Sequence, residues 1–177
     1  MNHTQITPRL AAMLAAFSLN AFAEERVRAV SNPNRDPAWR RIVISIPDRK
    51  LALLENEHVV KVYDVAVGKT TTPSPRGSFV IVNHVEHPTW FGPAGAVAPG
   101  PRNPLGTRWM GLSAHGYGIH GTNVPSSIGK AASHGCIRMR RQDLEELFEL
   151  VTVGTQVELT GEHRELLAKA YSAAASN

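Results

Sequence analysis

Short runs of alternating apolar and polar residues, each closed by turn-forming residues, limit what this chain can fold into. RIVISI (41–46), SFVIVNHV (78–85) and GTQVELTG (154–161) have the period of two and the β-branched content that are typical of strands. LALLENEHVVKVYDVAVG (51–68) divides at ENE (55–57) into two such runs, which predicts a hairpin. The 12 prolines and 14 glycines are spread through the chain and favour many short elements over long helices.

The middle of the chain adds two strands and one segment without any period. LGTRWMGLSA (105–114) and YGIHGTN (117–123) bring the predicted strands to about seven. Residues 86–104 hold five prolines and three glycines, which predicts a long irregular loop of the kind that often walls a binding site. The sequence therefore predicts one mainly β domain over residues 41–160, a sandwich or barrel.

Two segments are predicted to be helical. In QDLEELFELV (142–151) the apolar residues recur at i, i+3, i+4 and i+7, which is the period of one helix face. EHRELLAKAYSAAA (162–175) is predicted to form a C-terminal helix, within a terminal segment at 161–177. Both helices are short beside the strand content, so the fold stays mainly β.

The N-terminus has the pattern of a secretory signal peptide. Arg9 precedes the apolar run LAAMLAAFSL (10–19), and AFA (21–23) resembles a small-residue cleavage site. The apolar run is too short for a membrane span. Residues 1–23 are therefore expected to be removed on export to the periplasm or cell wall, leaving a polar tail or linker at 24–40.

The charge balance argues against nucleic acid as a partner. The chain carries 19 Lys and Arg against 15 Asp and Glu, and removing residues 1–23 takes away Arg9 and no acid, which leaves 18 against 15, or +3. No Lys/Arg run is interleaved with aromatic residues. A charge this mild gives only weak attraction to polyanions such as cell-wall polymers.

Cys136 is the only cysteine, so it has no partner for an internal disulfide. A lone cysteine can be a buried structural residue, a half of an intermolecular bridge or a reactive thiol. It ends SHGC (133–136), where a tight turn of small and polar residues would aim successive backbone amides at one point. His120 stands sixteen residues upstream, and a nucleophilic cysteine needs such a base.

HGTNVPSSIGKAASHGCIRM (120–139) resembles the signature of the L,D-transpeptidase family, the YkuD-type catalytic domain. IVISIPDRKLALLE (42–55) is similar to the opening hairpin of that family. VGKTTTPSPRGSFVI (67–81) and NPLGTRWMGL (103–112) are similar to later segments of it. The resemblance covers about residues 41–160 and implies a YkuD-like β-sandwich with short helices.

The resemblance implies a role for each residue of the motif. Cys136 would be the nucleophile and His120 the general base, with the backbone carbonyl of Gly121 orienting the imidazole. Backbone amides near Gly135 and Cys136 would form the oxyanion hole. Ser133 and His134 would shape the site and the acyl pocket. Such a Cys–His pair is also expected to lower the pKa of the thiol.

Arg138 stands where the family signature often has Asn. An arginine there could bind a substrate carboxylate bidentately, or it could pair structurally with an acid such as Asp143. The two alternatives stay open at the level of sequence. Trp109 and Tyr117 could line the acyl-transfer cleft.

The reaction implied by the resemblance uses peptidoglycan stem peptides and no cofactor. The thiol would attack the carbonyl of the third, diamino-acid residue of a tetrapeptide stem and expel the terminal D-alanine. An amine of another stem would then give a 3–3 cross-link, a lysine of a wall-linked lipoprotein would be anchored, and water would give carboxypeptidase or amidase activity. Carbapenems are expected to acylate the same cysteine.

Two other kinds of function could use some of the same residues. Zinc could use Cys136 with His115, His120 and His134, but His115 and His120 are five residues apart on a strand-like run, which puts them on opposite faces. Metal-motif spacings such as C-x₂-C are missing from the sequence, so no metal site is predicted. A wall-binding module without chemistry could use aromatic platforms, but it has no need of a histidine and a lone cysteine.

Overall fold

The computed structural model describes residues 39–163. The predicted signal peptide, almost all of the 24–40 linker and the predicted C-terminal helix from residue 164 onward lie outside the described residues. Within residues 39–163, no helix has both the length and the apolar character needed to cross a membrane.

Eleven strands and one α-helix make up the described part of the chain. The strands are β1 (Arg40–Ser45), β2 (Lys50–Glu55), β3 (His58–Gly68), β4 (Gly77–Glu86), β5 (Trp90–Gly92), β6 (Gly95–Val97), β7 (Arg108–Leu112), β8 (Gly118–His120), β9 (Ala131–Ser133), β10 (Ile137–Met139) and β11 (Gln156–Thr160). The helix α1 spans Arg141–Leu150, and a 3₁₀ turn spans Pro125–Ser127. The mainly β prediction is confirmed.

The strands pair around a closed ring. The order is β10-β8-β7-β4-β11-β1-β2-β3, and β10 pairs with β3 as well as with β8, so the first and last strands of this series meet. β9 adds to β3 outside the ring, and β5 and β6 form a separate two-stranded sheet. Most neighbours are antiparallel, but β10 runs parallel to β8 and β1 runs parallel to β11.

The core follows from the alternation of side chains along these strands. Ile42 and Ile44 of β1 are fully buried and belong to the main apolar cluster, whereas Val43 between them packs with a second cluster on the other face. Leu144 and Leu147 of α1 complete the main cluster. Burying a side chain of this size contributes about 1.5–3 kcal/mol, so α1 is held by its apolar face against the strands.

Three features of the chain differ from the sequence expectation. The 86–104 segment is not irregular throughout, because it contains the β5–β6 hairpin, here called the flap (Trp90–Val97). The short strands β9 and β10 on either side of the cysteine were not predicted. Each of these strands has three residues, which is too few to show an alternating pattern.

Candidate active site

Two parallel strands bring the cysteine and the histidine together. β8 ends at His120, and Cys136 directly precedes β10. The register pairs Ile137 with Ile119 and Arg138 with His120. Cys136 and His120 therefore meet at one cavity of about 1020 Å³, although sixteen residues separate them in the sequence.

The turn that carries the nucleophile is fixed by Ser133. Its hydroxyl donates to the carbonyl of Cys136 at 2.6 Å and accepts from the amide of Gly135 at 3.0 Å. Its own carbonyl accepts from the amide of Lys69 at 3.1 Å and from the hydroxyl of Thr72 at 3.2 Å. Because Ser133 is only 1% exposed, these bonds are shielded from water and set the position of Cys136.

Gly135 has a conformational role. Its φ is +115°, and a Cβ there would lie 2.5 Å from Cε1 of Tyr117 and 3.2 Å from the carbonyl oxygen of Pro73. The prediction that the Gly135 amide helps form an oxyanion hole is not supported, because that amide already donates to Ser133. The turn needs glycine for its backbone geometry and for the space beside Tyr117.

Tyr117 supports the turn and is not among the residues that line the cavity, so its predicted contact with substrate stays a prediction. Its ring packs against the main core and beneath Gly135. Trp109 does line the cavity, as predicted, and its ring also stacks on His120 with centroids 5.7 Å apart. Exposed His134 lines the cavity as well.

The imidazole of His120 is held in one tautomer. Its Nδ1 lies 2.7 Å from the carbonyl oxygen of Gly121, and a carbonyl can only accept, so Nδ1 carries the proton. Nε2 is then left with a free lone pair, which is the form that a general base needs. The sequence prediction that the Gly121 carbonyl orients this ring agrees with the geometry.

Burial keeps His120 neutral. The side chain is 5% exposed, and desolvation lowers its pKa to about 4, against a smaller opposing effect of the hydrogen bond to Gly121. The positive charge of Arg138 lowers the pKa further. At neutral pH the site therefore holds an unprotonated base.

The resting thiol is also neutral, which corrects the expectation of a lowered pKa. Burial raises the pKa of Cys136, and the hydrogen bond from the Gly118 amide and the charge of Arg138 only partly oppose it. The thiol donates to the carbonyl of Gly116 at a sulfur–oxygen distance of 3.7 Å. Among the described residues the sulfur and His120 are not hydrogen-bonded to each other, so the arrangement is a neutral thiol beside a neutral imidazole.

The backbone behind His120 is packed against a second glycine. A Cβ on Gly106 would lie 2.8 Å from the Cα of Gly121, and the amide of Gly121 donates to the carbonyl of Leu105 at 2.7 Å. The φ of Gly106 is +69°, in the left-handed region. This close approach holds Gly121, and with it the carbonyl that orients His120.

Gly106→Ala should therefore lower the free energy of unfolding by about 2–4 kcal/mol, since the left-handed φ and the backbone overlap both add a cost. Gly129→Ala is the matched control, because Gly129 has φ +81° with no atom within 4 Å of the added Cβ. Gly129→Ala should cost only about 1–2 kcal/mol, from the strain of the left-handed φ. Urea unfolding of both variants measures the difference, and equal losses would show that the Gly106–Gly121 contact does not matter.

Asn103 holds the flap in place, and it was not among the site residues predicted from the sequence. It is 1% exposed, and its Nδ2 donates to the carbonyls of Pro88 at 2.8 Å, Val97 at 3.0 Å and Ala98 at 3.3 Å. Its Oδ1 accepts from the amide of Leu105 at 2.8 Å. The Asn-Pro pair marks a turn in the sequence, but the partners of this side chain depend on the tertiary fold.

The flap forms one wall of the cavity through Trp90 and Phe91. Phe91 is 80% exposed, so this wall presents an aromatic side chain to solvent as well as to the cavity mouth. His115 is exposed and is not among the residues that line the cavity. Within residues 39–163 no three His, Cys, Asp or Glu side chains are grouped so that they could hold a metal ion.

A buried imidazole at the end of β8 and a lone thiol just before β10 define a cysteine–histidine site. The family model for the L,D-transpeptidase catalytic domain, YkuD, matches residues 40–159. The chain belongs to the L,D-transpeptidase family, as its motif predicted.

Similar proteins agree with this assignment. The YkuD protein of Bacillus licheniformis, whose name describes it as an L,D-transpeptidase, is 46% identical over 134 residues, covering 76% of this chain and 72% of that protein. The catalytic domain of the Enterococcus faecium L,D-transpeptidase is 28% identical with a TM-score of 0.57, covering 70% of this chain and 98% of that one. The YkuD-like fold is thereby confirmed.

A further solved structure is the Ldtfm–avibactam carbamoyl enzyme, which is 29% identical with a TM-score of 0.60. The match covers 70% of this chain and 49% of that one, so this chain spans about half of its length. The similarity is to the domain that the described residues form.

Proposed function

We propose that this protein is a cysteine acyltransferase, an L,D-transpeptidase that acts on peptidoglycan tetrapeptide stems. The observation that carries the proposal is the pairing of Cys136 with a neutral, oriented His120 in one cavity. Membership of the L,D-transpeptidase family supports the same substrate class. The predicted signal peptide supports action in the periplasm or cell wall.

In the first step the thiol of Cys136 attacks the carbonyl of the third stem residue. His120 Nε2 takes the thiol proton as the sulfur–carbon bond forms, so the nucleophile is activated by a base rather than stored as a thiolate. The backbone amide of Cys136 is the proposed donor to the oxyanion of the tetrahedral intermediate. The Gly121 carbonyl stabilises the imidazolium that forms.

Collapse of the intermediate breaks the bond to the terminal D-alanine. His120 returns the proton to the leaving nitrogen, which gives a neutral amine and a thioester on Cys136. An incoming amine then loses a proton to His120 as it attacks the thioester, and the Cys136 thiolate that leaves takes this proton from the imidazolium. A stem amine gives a 3–3 cross-link and a lipoprotein lysine gives an anchored protein.

Water in place of the amine would make the protein an L,D-carboxypeptidase. The flap could influence whether an amine or water reacts, because it forms one wall of the cavity that the thioester would occupy. Excluding water from a reactive intermediate favours transfer over hydrolysis.

Muropeptide analysis tests the proposal. The chain without residues 1–23 is incubated with purified disaccharide-tetrapeptides, and the products are separated and weighed by mass spectrometry. We expect free D-alanine, released once for each 3–3 dimer formed. Tripeptide with no dimer would establish the carboxypeptidase instead, and unchanged substrate would contradict both.

A further inference from the structure

Within residues 39–163, Arg138 is the one permanently charged side chain among those that line the cavity. The other described lining residues carry no permanent charge, and Trp90, Phe91 and Trp109 contribute aromatic rings. A single fixed charge in such a setting selects for a ligand group of the opposite sign. The ligand that fills this cavity is thus expected to carry an anionic group near Arg138.

The described residues supply no anion for Arg138. Within residues 39–163, no carboxylate oxygen lies within the 4.0 Å of an ion pair from its guanidinium. Asp64, on the neighbouring strand β3, is bound by Lys50 at 2.5 Å and by Arg140 at 3.4 Å. The structure therefore shows no ion pair between Arg138 and Asp143, which favours the ligand alternative.

The position of Arg138 indicates which part of a substrate it would meet. It pairs in register with His120 across β10 and β8, and neighbouring strands lie about 4.8 Å apart. It also stands two residues after Cys136, and both residues line the same cavity. The charge of Arg138 acts on both groups, since it lowers the pKa of each.

We propose that Arg138 binds the terminal carboxylate of the leaving D-alanine and so selects donors that end one residue after the attacked carbonyl. The inference rests on the proposed function, in which His120 protonates the leaving nitrogen. In D-alanine the carboxylate is attached to the carbon next to that nitrogen. A side chain placed beside His120 is therefore closer to this carboxylate than to the more remote carboxylates of the stem.

A guanidinium can hold a carboxylate with two parallel hydrogen bonds, which fixes the orientation of the leaving group as well as its charge. A donor that ends in an amide loses the charge and one acceptor oxygen. A pentapeptide places its carboxylate one residue farther away. Both should be poorer donors, by about 10- to 100-fold in kcat/KM for the amide, which is the usual range for hydrogen bonds to a charged group.

The test compares two tetrapeptide donors that differ only at the terminus, one with D-alanine and one with D-alaninamide. Wild-type protein should release D-alanine about 10- to 100-fold more efficiently than D-alaninamide. Arg138→Gln should bring this ratio to within about threefold of one, mainly by slowing the reaction of the donor that ends in D-alanine. Arg138→Lys should keep part of the ratio, because lysine retains the positive charge but lacks the paired N–H donors of the guanidinium.

Arg140→Gln is the matched control. Arg140 directly follows β10, its side chain is 53% exposed, and it pairs with Asp64 outside the cavity lining. It should leave the acid-to-amide ratio unchanged. Thermal unfolding of each variant shows whether it is folded before the rates are compared, and Arg138→Lys serves if Arg138→Gln does not fold.

The outcomes separate the inference from the function on which it rests. No release from either donor by wild-type protein would contradict the transpeptidase proposal itself. Release with equal efficiency from both donors, or an Arg138→Gln variant that keeps the wild-type ratio, would overturn the carboxylate assignment alone. An equal slowing of both donors in Arg138→Gln would show that Arg138 acts only through the pKa values of Cys136 and His120, which also overturns it.

Discussion

Cys136→Ala is expected to abolish D-alanine release, by more than about 10⁴-fold, because the thioester has no other sulfur on which to form. The cavity and His120 remain, so binding of the stem should survive. The same variant should take up no carbapenem. Wild-type protein should gain the full mass of one drug molecule, since the thiol adds to the lactam carbonyl and its proton passes to the ring nitrogen with no atom lost.

Intact-mass spectrometry before and after incubation with a carbapenem measures this directly, and peptide mapping should place the adduct on Cys136. The fold should be retained, because the hydrogen-bonding contact that the thiol donates is the 3.7 Å one to Gly116. Alanine should therefore change the free energy of unfolding by only about 1 kcal/mol. D-Alanine release by the folded variant at the wild-type rate would remove Cys136 from the mechanism.

His120→Asn should reduce kcat/KM for D-alanine release by about 10²- to 10⁴-fold, the usual contribution of a general base. The introduced amide can still donate to the Gly121 carbonyl, as Nδ1 does at 2.7 Å, but it has no basic nitrogen in the place of Nε2. The decrease in kcat/KM then measures the loss of the general base rather than a disruption of the surrounding backbone. A variant with wild-type kcat/KM would exclude His120 as the base.

The pH profile gives a second, independent measure of the same residue. The active form has neutral His120, and its pKa is about 4, so activity should persist as the pH falls from 7 to 5 and decline only near 4. An ordinary histidine would give a decline near its unperturbed pKa of about 6.5. His120→Asn should abolish this limb, whereas His115→Asn, at an exposed position outside the cavity lining, should keep it.

The strands and the helix could be predicted wherever a single face is repeated over enough residues. β1 lies within one residue of its predicted bounds at each end, and so does α1, where Leu144 and Leu147 supply the buried face. β9, β10 and the flap strands have three residues each, and their pairing depends on partners distant in sequence. Local periodicity contains no information about such partners.

The site also has features that the sequence could predict and features that depend on the tertiary fold. His120 and Cys136 could be found from the motif, and the cavity joins them. The raised pKa of the thiol could not be predicted, because it depends on burial rather than on which residues are neighbours in sequence. The surroundings of Tyr117 and of the Gly135 amide could not be predicted either, because packing and a hydrogen bond to a buried serine determine them. The signal peptide, the cleavage site and the C-terminal helix stay predictions.

The closed ring of strands bears on how this protein can keep its cysteine free. With one cysteine, the chain cannot form an internal disulfide between its own elements. Within residues 39–163 each strand of the ring has a neighbour on both sides, and the strand that follows Cys136 is held by β8 on one side and β3 on the other. Ladder hydrogen bonds on both sides thus hold the strand that follows Cys136 without a disulfide. The hydrogen bonds that hold the strands and the sulfur that reacts are separate groups. A reducing or oxidising environment can therefore change the thiol without weakening the strands that position it.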